Sequence, residues 1–79
     1  MSPTIFRESG FRFFFFSREE ERRHVHVYGS DGEAKFWLEP EITLAKNYEL
    51  SDPQLARIRK IVEDHKDELI STWDSYFRN

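Results

Sequence analysis

Cysteine is absent from this 79-residue chain. No disulfide and no thiolate metal site can therefore support the fold, and a cytoplasmic location fits that composition. Glycine and proline number three each, and neither a low-complexity linker nor an internal repeat divides the chain. No long apolar run is present either. The phenylalanine stretch Phe13–Phe16 is far short of the roughly 20 residues that cross a bilayer, so no membrane association is expected. Met1 to Arg7 lacks an apolar segment behind a charged start, so no signal peptide is expected there. Excess positive charge is also missing. Fifteen acidic residues against twelve basic ones give a formal net charge of −3, which argues against indiscriminate polyanion binding but leaves a local basic patch open.

Aromatic residues are abundant instead. Eight Phe, three Tyr and two Trp stand beside a modest set of aliphatic residues. One small domain over 1–79 is expected, with a core closed largely by rings, since each buries roughly 150–250 Å².

The β-prone segments come first. Thr4 to Arg7 reads as a short edge strand, Ser9-Gly10 as a turn and Phe11 to Phe16 as a strand. Ser17 to Arg23 is wholly polar and reads as a loop. His24 to Tyr28 alternates, Gly29-Ser30-Asp31-Gly32 is a turn, and Glu33 to Glu39 returns antiparallel. Pro40 ends that strand, and Ile42 to Lys46 reads as one more. The sheet is thus expected over 4–46.

A long helix is expected over about 52–77. Ser51 and Gln54 form a capping box, Leu50 and Leu55 occupy the hydrophobic-staple positions, and Pro53 falls in the first turn. Leu55, Ile58, Val62, Leu69, Trp73 and Tyr76 share one helical face. A straight helix of this length spans roughly 36 Å, more than a domain of this size measures across. Either it overhangs, exposing Trp73, Tyr76 and Phe77 as a docking patch, or it breaks near Asp64–Lys66 and folds those rings back.

The four-residue turn sets a register. It opposes Tyr28 to Glu33, His26 to Lys35 and His24 to Trp37, all on one face. Val25, Val27, Ala34, Phe36 and Leu38 form the other, which should receive the helix. The seven-residue loop would likewise bring Phe16 beside His24, Phe14 beside His26 and Arg12 beside Tyr28. A helix-free face carrying Arg12, Phe14, His24, His26, Lys35 and Trp37 is the expectation.

Three chemistries compete for that face. Two histidines two residues apart supply only part of a metal site, Lys35 beside them repels a cation, and Glu39 is the nearest carboxylate; no metal or other cofactor is implied. Aromatic and basic residues on a sheet suit nucleic acid, RNA more than DNA, and His24 with His26 would be the catalytic pair of an RNA-cleaving enzyme. The same residue types are enriched at protein interfaces. There Arg12, Phe14, Lys35 and Trp37 would meet a small partner protein or a second copy, with Trp73, Tyr76 and Phe77 as a further contact.

The ordered strings PTIFR, GFRFFFFS, HVHV, GEAKFWLEP and the capped helix ending WDSYF resemble a known family of short prokaryotic proteins, domain of unknown function 4160. The likeness runs over nearly the whole chain. Members usually carry a proline-rich stretch before the HVHV segment, where this chain has Glu21-Arg22-Arg23. The resemblance implies no established activity. It implies a gene often placed beside one for another small protein, a layout similar to toxin–antitoxin pairs. The fold class expected is α+β, a small antiparallel sheet of four to five strands followed by a long C-terminal helix on one face. The function expected is protein interaction, with an RNA-binding or RNA-cleaving toxin as the alternative.

Overall fold

The computed structural model describes residues 4–15 and 22–77. Five strands follow one another in sequence and in space: β1 (Thr4–Glu8), β2 (Phe11–Phe14), β3 (His24–Tyr28), β4 (Glu33–Trp37) and β5 (Thr43–Tyr48). Every neighbouring pair is antiparallel. Two helices, α1 (Asp52–Asp64) and α2 (Lys66–Phe77), complete the α+β order.

Turn chemistry explains the meander. Between Glu8 and Phe11 stand only Ser9 and Gly10, both at positive φ (55° and 83°). Two such residues suit a tight hairpin whose twist matches the flanking strands. Between β3 and β4 the Gly29 N–H bonds the Gly32 carbonyl at 2.9 Å. The expected register follows, with His24 opposite Trp37, His26 opposite Lys35 and Tyr28 opposite Glu33. Arg12 opposes Tyr28 and Phe14 opposes His26, also as expected. Phe16, and most of the loop after it, lies outside the described residues.

The core gathers one face of the sheet. Phe11, Phe13, Phe15, Val25, Val27, Ala34, Phe36 and Leu38 are buried together with Ile58, Ile61, Val62, Leu69 and Trp73 from the helices. The sheet members share one parity, as alternation on a strand requires.

Several boundaries differ from the sequence expectation: β1 runs on to Glu8, β2 ends at Phe14 and β4 ends at Trp37. β5 runs on to Tyr48, where the Asn47 side chain accepts from the Leu50 N–H and donates to the Leu50 carbonyl, each at 3.1 Å. The helix is divided at His65. Of the two alternatives, the broken helix is the one observed, and the exposed overhang is corrected: Trp73 is buried, and its ring lies 4.2 Å from Phe77 and 5.2 Å from Phe15. At the other end α1 begins as expected, with Ser51 as N-cap and both halves of the capping box formed. Gln54 also donates to Asp31 at 2.9 Å, which ties the helix start to the β3–β4 turn.

Candidate functional site

The outer face of the sheet, opposite the core parity, is built in rows across the strands. One row runs Arg7, Arg12, Tyr28, Glu33, Tyr48 from β1 to β5. The next carries Phe14, His26, Lys35 and Lys46. A third carries His24, Trp37 and Thr43. Residues directly opposite one another on paired strands point to the same side, which is what brings these types together.

Cations lie on the rings of this face. The Arg12 guanidinium sits 4.4 Å from the Phe14 ring centre. Arg22 and the Lys35 ammonium sit 4.0 and 4.5 Å from Trp37. Such contacts are worth about 0.5–1 kcal/mol where solvent reaches them. Phe14 also stacks on His26 at 5.5 Å, and Arg12 donates from Nε to the Thr4 hydroxyl at 2.7 Å. Tyr28 and Tyr48 are the most open aromatic residues here, each 54% exposed.

The two histidines of β3 part company. His26 is half-buried on the outer face. His24 is fully buried, 5.0 Å from the Trp73 ring of α2 and 5.5 Å from Trp37, and its Nδ1 lies 2.8 Å from the Arg22 carbonyl. His24 opens β3, and there the end of the sheet is closed by α2. The expectation that both imidazoles project away from the helical layer is therefore corrected for His24. Phe14, placed in the same exposed cluster, is buried as well. Of the helix-end residues, Trp73 belongs to the core, Phe77 packs against it, and Tyr76 alone is largely exposed.

Arg23 explains the closure. Its guanidinium donates to Asp74 of α2 at 2.7 Å and to Glu39 at 2.9 Å, and its backbone N–H donates to the other Glu39 oxygen at 3.0 Å. Those bonds, the backbone one foremost, hold the Glu39 carboxyl below its ordinary range. Glu39 is thus committed to Arg23. Among the described residues no group of three or more His, Asp or Glu has a metal-holding arrangement, and no helix is long and apolar enough to cross a membrane.

Arg7, Arg22, Lys46 and Tyr48 of the outer face escape a reading of the sequence alone, Tyr48 because it lies past the expected end of its strand. Arg7 had a usable signal, since a two-residue Ser9-Gly10 turn by itself opposes Arg7 to Arg12. Lys46 had none, because the β4–β5 register shifts between Lys35 and Phe36. Arg22 lies beyond the strand, where parity gives no direction.

A second polar cluster sits at the helix joint. His65 Nδ1 lies 2.8 Å from Glu68 and Nε2 3.1 Å from Glu8 of β1, while the ring packs on Phe6 at 4.4 Å. With carboxylates at both nitrogens, only the doubly protonated ring can donate to both. The Glu68 bond, followed by the Glu8 bond, raises its pKa above the ordinary 6.5. A raised folded value stabilises the fold fully below the unfolded pKa, and that contribution disappears as pH rises through the folded one. The stability difference between the wild type and His65→Gln should therefore be largest below about pH 6.5 and shrink as pH rises above it. A constant difference through that rise would refute the bridging role.

The chain belongs to the family described as Domain of unknown function (DUF4160), whose model matches residues 10–74. The match takes in β2 through β5, α1 and most of α2. No curated protein and no solved structure matches the chain.

Proposed function

We propose that this chain is a protein-interaction module, one half of a small prokaryotic two-protein pair, with the outer face of the sheet as its working surface. The observation that carries this reading is the pairing of two open tyrosines, Tyr28 and Tyr48, with half-buried Trp37 and its cations on one face. Tyr, Trp and Arg dominate binding hot spots because they offer large, rather rigid contact area with a polar tip. Trp73 drops out of the contact set as a core residue, and Tyr76 remains at its margin.

The RNA-cleaving alternative is less well supported. General acid–base cleavage needs two groups within hydrogen-bond reach of one substrate. His24 is fully buried, so His26 alone of the pair stands on the open face.

The test is co-expression with the product of the adjacent gene. A co-purifying complex is expected, and Trp37→Ala should weaken it roughly tenfold or more. A homodimer sensitive to the same substitution would support the same surface. A strictly monomeric chain that does not retain the adjacent product would sink the reading.

A further inference from the structure

The phenylalanine and tryptophan rings of the outer face already hold cations of this chain: Phe14 has the Arg12 guanidinium, and Trp37 has Arg22 and Lys35. The two tyrosine rings do not. Tyr28 at the end of β3 and Tyr48 at the end of β5 are each 54% exposed, and neither meets another ring or a cation among the described residues. Between them on β4 stands Glu33, directly opposite both. Glu33 is exposed and makes no side-chain hydrogen bond or ion pair among the described residues. Lys35, next on the same face of β4, has its ammonium over Trp37. An open carboxylate thus lies between two open rings.

We propose that Tyr28, Glu33 and Tyr48 form a slot for an arginine side chain of the partner protein. This rests on the protein-interaction reading above and names what the partner must present. Neighbouring strands lie about 4.8 Å apart, so the two tyrosines, two intervals apart, stand roughly 10 Å from one another. A guanidinium held midway lies about 5 Å from either ring, inside the roughly 6 Å reach of a cation–π contact. Glu33 springs from the same face of the strand between them, so its carboxylate is placed to accept from that guanidinium. A planar guanidinium stacks on rings and donates two parallel bonds to a carboxylate; a compact ammonium lacks that fork.

The sheet edges favour recognition by side chains over addition of a strand. β1 and β5 are the outer strands, and each carries one extra residue against its neighbour, Ile5 in β1 and Ala45 in β5. Bulges of this kind twist an edge away and obstruct pairing with another strand. A partner therefore meets this chain across the face, where the row Tyr28, Glu33, Tyr48 lies open. The Glu33 charge repels a phosphate backbone, which sets polypeptide above nucleic acid as the occupant.

The experiment titrates the peptide acetyl-Gly-Arg-Gly-amide into the isotope-labelled whole chain and follows each backbone amide by nuclear magnetic resonance. Saturable shifts centred on Tyr28, Glu33 and Tyr48 are expected, with a dissociation constant on the order of 1 mM, as suits one side chain. The Lys version of the peptide should bind about threefold more weakly, and the Glu version and uridine monophosphate should not bind this row. Glu33→Gln should weaken the Arg peptide at least about fivefold and Tyr48→Leu about threefold. Both positions are exposed, so each variant should melt within about 4 °C of the wild type. That constancy separates lost recognition from lost folding. Absence of saturable shifts, shifts centred elsewhere, equal binding by both variants, or tighter binding of the Glu peptide or the nucleotide would each overturn the proposal. If the adjacent gene product still forms its complex in those cases, the interaction module stands and only the arginine slot is wrong; peptide binding with no such complex gives the reverse.

Discussion

Trp73→Ala should come close to unfolding this protein. Trp73 is 5% exposed and packs on Phe15, Phe77 and His24. Truncating a buried Phe or Trp to Ala costs about 3–5 kcal/mol through lost burial and the cavity left behind. A domain of this length holds only about 4–12 kcal/mol in all, and no disulfide is present to supplement it. Each kcal/mol shifts the melting temperature of a domain this size by roughly 4–8 °C. A loss of tens of degrees in a thermal melt followed by circular dichroism is therefore expected. Tyr76→Ala, one turn along the same helix but 42% exposed, should cost about 1 kcal/mol or less. Equal melts for the two variants would show that α2 does not close the core through Trp73.

Gly32→Ala is the second large effect, and its cause is space rather than backbone freedom. Gly32 does not occupy the left-handed region. A Cβ there would collide with the Tyr48 carbonyl oxygen and come within 3.1 Å of the Tyr48 and Glu49 carbonyl carbons. These are backbone atoms at the end of β5, fixed by the β4–β5 ladder and by the Asn47 clasp on Leu50. Overpacking against such a wall costs about 1–3 kcal/mol, occasionally more. Gly29→Ala is crowded by the Phe11 ring, at 2.8 Å, with the Gly32 carbonyl at an ordinary 3.9 Å, and a side chain yields more readily than a ladder. Urea denaturation should rank Gly32→Ala as the more damaging of the two. The reverse order would mean that the end of β5 moves freely against the β3–β4 turn.

Variants of the core face and variants of the proposed binding surface should separate. Truncations at Trp73 act on the fold first, which is why a binding loss in Trp73→Ala would carry no information about the interface.

Much of this arrangement was legible from residue order. The alternation in His24–Tyr28 and Glu33–Trp37 assigns faces because successive strand residues point opposite ways. The Gly29–Gly32 turn sets their register, and Ser51 with Gln54 marks the start of α1 because an N-cap needs no distant partner. These are local rules, each complete within a few residues. What the chain order left open depended on contacts far apart in sequence. No glycine or proline marks the helix break at His65. The break falls where Glu8 and Phe6, nearly sixty positions earlier, hold the imidazole together with Glu68. Strand parity gave His24 and His26 the same environment, but Trp73, brought over by that same break and held beside Asp74's bond to Arg23, buries one and leaves the other on the open face. Periodicity reports which way a side chain points from its own strand; only the packed helices decide what it meets there.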